Sequence, residues 1–118
     1  MSCSGALSLD PPVCRTTAAG GVSKHKMINM CDRKLAFKVK SSNNSNYSVS
    51  KVVGFIDIGE KQDFVITRIK GPPRGDKMVF QFIQAGDATD AAKLFPADGT
   101  CPQAEVCGET LMKLSAGE

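Results

Sequence analysis

From Leu35 to Lys40 the chain alternates with a period of two. Leu35, Phe37 and Val39 are apolar, and Lys38 and Lys40 stand between and after them. Successive side chains of a strand point to opposite faces, so this spacing predicts a strand with an apolar face and a lysine face. Ser41-Ser42-Asn43-Asn44-Ser45-Asn46 follows. Such side chains bond to nearby backbone and favour turns. Tyr47-Ser48-Val49 resumes the extended pattern, and Gly54-Phe55-Ile56-Asp57-Ile58-Gly59 closes the unit with a strand and a turn. Strand, polar turn and strand in so short a span read as sheet without helical crossovers.

The same reading extends along the chain. Pro11 and Pro12 suit the entry or edge of a first strand over residues 13–17. Gly20-Gly21 makes a turn into a second strand over residues 23–29, with His25 and Met27 on one face. Residues 64–69 are rich in β-formers, with Phe64 and Ile66 inward. Gly71-Pro72-Pro73-Arg74-Gly75 ends that strand, because proline cannot donate to a ladder. Residues 76–83 return with Met78, Phe80 and Phe82 inward, which turns Lys77, Val79, Gln81 and Ile83 outward as a surface. Residues 111–115 form the last strand. Helix is hinted only over residues 87–95, where Thr89 or Asp90 can cap a turn holding Ala91, Ala92 and Leu94. Short strands separated by Gly and Pro turns predict an all-β sandwich of two antiparallel sheets.

Composition narrows the function. The 118 residues suit one domain, and the 42% hydrophobic content is that of a globular chain. A net charge of +3 is too mild to imply nucleic acid, and with no Trp and one Tyr a base-stacking platform is not expected. No apolar run approaches the ~20 residues of a membrane span, and no charged start leads into an apolar signal segment. A cytoplasmic protein is expected, with residues 1–9 a flexible tail. The five cysteines, Cys3, Cys14, Cys31, Cys101 and Cys107, are an odd set without a signal segment and read as free thiols. Cys14 and Cys31 read as small buried hydrophobes.

Catalytic chemistry finds no constellation. His25 is the sole histidine and reads as a packed, hydrogen-bonded core residue. Cys101 and Cys107 are too far apart for a zinc knuckle, so no metal site is expected. No phosphate-binding glycine loop occurs. Asp57, Glu60 and Asp63 read as solvated, and Asp87, Asp90 and Asp98 lack the ligand density of a calcium loop. The expectation is a protein that is not an enzyme and carries no cofactor.

An ordered set of tracts resembles the major sperm protein domain of nematodes. It runs Asp10-Pro11-Pro12, residues 20–26, residues 35–44, Tyr47, Gly54-Phe55-Ile56-Asp57, Ile66-Thr67-Arg68, Gly71-Pro72-Pro73, Asp76-Lys77, Gln81-Phe82, Ala88-Thr89-Asp90 and Lys113-Leu114-Ser115-Ala116. The chain is most similar to the short sperm-specific members. The resemblance covers about residues 10–116 and divides the chain into a tail over 1–9 and a domain over 10–118. Residues 96–109, which hold Cys101 and Cys107, depart from the family pattern as an insert. The resemblance implies an immunoglobulin-like seven-stranded antiparallel β-sandwich. It also implies a non-enzymatic structural part of the sperm cytoskeleton, as a filament subunit or an accessory in amoeboid motility, located in the pseudopod. Its partners would be copies of itself or other sperm cytoskeletal proteins. Related VAMP-associated proteins imply an alternative, an adaptor for acidic peptides that carry phenylalanine. The matching positions here are Lys38, Lys40, Ser41, Ser42, Lys77 and Val79, with Val79 shorter than the side chain those relatives use.

Overall fold

In the computed structural model, which describes residues 6–117, two sheets pack face to face. The strands are β1 (Leu7–Asp10), β2 (Val13–Thr17), β3 (Gly20–Asn29), β4 (Leu35–Ser41), β5 (Tyr47–Val49), β6 (Val53–Ile56), β7 (Lys61–Ile69), β8 (Arg74–Gln84) and β9 (Cys107–Gly117). One sheet runs β1-β3-β7-β5 and the other β2-β9-β8-β4-β6. Two strands change sheets partway. The first breaks at Pro11-Pro12 into β1 and β2, and the other breaks between β5 and β6. Counting each as one strand recovers the seven-stranded sandwich. One pairing differs from the expected antiparallel pattern. β2 runs parallel to β9, from Val13 opposite Lys113 to Thr17 opposite Gly117.

The core forms where the period-2 pattern places it. Phe37, Phe64, Ile66, Met78 and Phe80 are fully buried, with Phe82 and Val39 nearly so. Phe64 and Phe80 meet edge to face across the sandwich, ring centroids 5.1 Å apart. Cys14 and Cys31 are buried, as expected of small apolar residues, and Cys14 is a free thiol. Cys101 and Cys107 are free and half-buried, and Cys3 lies outside the described residues.

Two expectations are corrected. Residues 7–9 are not tail: Leu7 and Leu9 are buried, and β1 pairs with β3 from Leu7 opposite Asn29 to Asp10 opposite Lys26. Residues 1–5, the rest of that expected tail, lie outside the described residues. Gln81 and Ile83 do point out of the five-stranded sheet, yet both are buried. A short 3-10 turn, Ala91–Leu94, folds over that face, and Ala36, Ile83, Ala91 and Phe95 form a second small core with Phe55, Leu94 and Cys107. Asp90 caps the turn, its side chain accepting from the Ala92 N–H. Covering otherwise exposed Ile83 and Phe95 is the physical reason the turn forms there.

Candidate functional site

The 96–109 segment is tied down at both ends. At its far end the Gln84 N–H donates to the Val106 carbonyl at 2.9 Å, and the Gln84 side-chain oxygen accepts from the Val106 N–H at 3.0 Å. Arg33 adds an exposed ion pair to Glu105 at 3.2 Å. At its near end the Gly99 carbonyl accepts from Lys40 Nζ and, at 3.1 Å, from Gln81 Nε2. Gly99 has φ +82°, and a Cβ there would lie 2.7 Å from Lys40 Nζ, so glycine is required for this contact. The segment therefore rests on the outer face of the five-stranded sheet and holds one of its lysines.

Beside it lies a shallow groove of about 210 Å³ lined by Lys40, Ser41, Ser42, Lys77, Val79 and Glu109. Five of the six positions singled out from sequence thus come together. Register explains how: Lys40 stands opposite Val79, and Val79 opposite Leu111, in one row across β4, β8 and β9. Lys38 is not part of the groove. It stands opposite Gln81 and Val53, one row away.

The groove floor is pinned by Asp76. Its Oδ1 accepts from Ser42 Oγ at 2.9 Å and from Arg74 Nη2 at 2.9 Å, and its Oδ2 accepts from Asn43 Nδ2 at 3.1 Å. Ser42 Oγ in turn accepts from the Lys77 N–H at 3.0 Å. Burial opposes ionisation of Asp76, but these donors and the Arg74 charge outweigh it and hold the carboxyl below its ordinary value of 3.8. Asn43 Oδ1 then accepts from the Ser45 and Asn46 N–H groups, which explains the Ser-Ser-Asn-Asn turn. Ser41 spends its hydroxyl on Asn43 within the same turn.

Sequence reasoning missed two groove features. Asp76 was read only as the start of a strand, although it immediately precedes Lys77. Glu109 ends the 96–109 insert, for which the sequence pattern predicts no strand. Its Oε2 accepts from Gln81 Nε2 at 3.1 Å, which sets a carboxylate at the groove wall. Burial, Glu109 and Cys107 together push the nearby Cys101 thiol up from its ordinary value. His25 is spent on structure. Its Nδ1 lies 2.8 Å from the Pro11 carbonyl and its Nε2 2.7 Å from Ser23 Oγ, with the ring buried.

The model of the MSP (major sperm protein) domain matches residues 6–98. The chain belongs to the major sperm protein domain family. Its relatives agree in both sequence and structure. An uncharacterised Caenorhabditis elegans protein, ZK1307.3, is 53% identical over 112 residues, covering 95% of this chain and 96% of that one. Sperm-specific class P protein 10 of the same nematode is 49% identical over 92 residues, 77% of this chain and 84% of that one. The solved structure of SSP-19, an MSP-domain protein like family member in C. elegans, superposes with a TM-score of 0.82 at 41% identity, covering 95% of this chain and all of that one. The all-β sandwich is thus the family's immunoglobulin-like fold. Among the described residues, no helix is long and apolar enough to cross a membrane.

Proposed function

We propose that this protein is a non-enzymatic building block or accessory of the nematode sperm cytoskeleton, working in the pseudopod by protein–protein contact. The observation that carries this reading is its near-half identity to sperm-specific class P protein 10. The outer face of the four-stranded sheet supports it. Val22 and Ile69 are 60% and 59% exposed there. Val22 stands opposite Thr67, and Ile69 is Thr67's next outward neighbour on β7, so they form a β-branched patch. An exposed apolar patch marks a contact surface, and a contact that repeats without closing builds filaments. Sedimentation across concentration tests this. Dimers and larger species are expected, and Val22→Asp with Ile69→Asp should dissolve them. A strict monomer at every concentration removes the filament-subunit role.

A second reading, an adaptor for acidic phenylalanine-bearing peptides, is favoured by the groove that gathers Lys40, Ser41, Ser42, Lys77 and Val79. Lysines would neutralise the acidic flank, and the floor beside Val79 would take a ring. Two features weaken this binding. Gly99 already engages Lys40, and Glu109 repels an acidic ligand. Lys40→Asp with Lys77→Asp is expected to abolish binding of such a peptide. Glu109→Gln should strengthen it about two- to fivefold, the scale of one exposed charge contact. Both effects should fade with salt, since screening acts over about 8 Å at physiological strength. An NMR titration reads them. Shifts confined to the other sheet would remove the adaptor reading.

A further inference from the structure

The edges of the two sheets are not equally protected. On β6 the Phe55 carbonyl accepts from Gln62 Nε2 at 2.6 Å, so a side chain caps the middle of that four-residue edge. β5 is only three residues long. Short and capped edges resist pairing with another chain. β9 differs. It is 11 residues long, but β2 covers only its half from Lys113 to Gly117. The chain leaves the sheet at Pro12, and β1 joins the other sheet, so among the described residues no strand pairs with the near half of β9 on that side.

Ladder parity identifies the open groups. The Val106 carbonyl accepts from Gln84 on the β8 side, and the Gly117 carbonyl accepts from Ala18 on the β2 side. Bonding sides alternate along an antiparallel strand. Gly108 and Thr110 therefore bond to β8, opposite Phe82 and Phe80, while Glu109 and Leu111 aim their N–H and C=O groups at the uncovered side. Among the described residues no hydrogen bond reaches those four groups. Beside them runs a cleft of about 370 Å³ between β1 and β9, lined by Leu7, Ser8, Leu9, Pro12, Glu109, Thr110 and Leu111. Thr110 Oγ1 donates to the Leu7 carbonyl at 2.7 Å across the cleft floor.

We propose that this half-edge takes an extended peptide segment as an added strand, with a basic residue opposite Glu109 and apolar residues in the next two positions. The residue opposite Glu109 shares the outer face with its exposed carboxylate, whose only hydrogen bond among the described residues is to neutral Gln81. A cation there is complementary. The next residue points inward opposite Thr110, into the cleft beside Leu7, Leu9 and Pro12, and so is apolar. The third lies beside Leu111, which is 55% exposed, and gains by covering it. Main-chain bonds to Glu109 and Leu111 supply the affinity, and the alternating side chains supply the choice of sequence. This surface is separate from the Lys40–Lys77 groove, although Glu109 touches both.

The test uses two synthetic peptides, one with a central Lys-Val-Leu and one with Leu-Val-Lys, because the added strand can run in either direction. Titration into the labelled full chain is followed by NMR. One peptide is expected to shift and protect the Glu109 and Leu111 amides. A version N-methylated at the amides that bond to this edge, those opposite Glu109 and Leu111 in an antiparallel strand and the one opposite Thr110 in a parallel strand, should lose at least tenfold in affinity while the protein stays unaltered. Glu109→Lys should reverse the preference from the lysine peptide to its glutamate counterpart. Equal binding of the N-methylated peptide, an unchanged preference in Glu109→Lys, no shift at millimolar peptide, or shifts at β5, β6 or Lys40 instead would overturn the proposal. So would concentration-dependent shifts at Glu109 and Leu111 without peptide, which would make the occupant a second copy of the chain.

Discussion

Phe80→Ala is expected to destabilise the protein by about 3–5 kcal/mol, seen as an earlier midpoint in urea at an unchanged slope. The side chain is fully buried and contacts Phe64 edge to face. Its strand neighbours are Val39 and Thr110, on the two central pairings of the five-stranded sheet. Deleting the ring removes apolar contacts from both layers and leaves a cavity that two paired strands cannot close. Val79→Ala, one residue away on the outer face, is the control. That side chain is only partly buried in the groove, so a change below about 1 kcal/mol is expected. Equal losses at the two positions would mean that the strand's inner and outer faces are misassigned.

The contrast between those neighbours was legible from alternation alone, because a period of two fixes which side a residue takes once the strand is recognised. What alternation does not give is what lies on top. Gln81 and Ile83 were rightly turned outward, yet they are covered by residues from 91 to 109, and no local pattern announces a contact so distant in sequence. β1 carried its own signal. Leu7-Ser8-Leu9 alternates, but four residues are too few to distinguish a strand from a tail without its partner β3. The groove was legible to the same degree. Lys40, Lys77 and Val79 share a face by alternation, whereas the row that joins them is set by pairing register. Glu109 precedes Leu111 and Lys113 in the same period, and extending that last strand backward would have placed it beside them. Asp76 had no such signal, since its work is to accept from three residues on two different elements.

Asp76 gives the second large effect, and its sign with pH is fixed by chemistry. The folded carboxyl titrates below its ordinary 3.8, because the Ser42, Asn43 and Arg74 donors outweigh the burial that opposes ionisation. A group with a depressed folded pKa stabilises the fold above its unfolded value and loses that contribution as pH falls through the folded one. Asp76→Asn puts a second amide donor among three existing donors and leaves at least one of them unpaired. At pH 7 this should cost about 1–3 kcal/mol. The difference between the two proteins should shrink as pH drops below 3.8, because the native carboxyl also becomes protonated. Glu60, Asp63 and Asp98 are likewise held low, but all three are present in both proteins and cancel in the comparison. Urea unfolding at pH 7, 5 and 3 reads the trend, and a difference that stays constant across that range would show that Asp76 holds Ser42 and Lys77 by shape rather than by charge. Because the Ser42–Lys77 contact forms the groove floor, the same substitution should also weaken any peptide bound there, even though no groove lysine is altered.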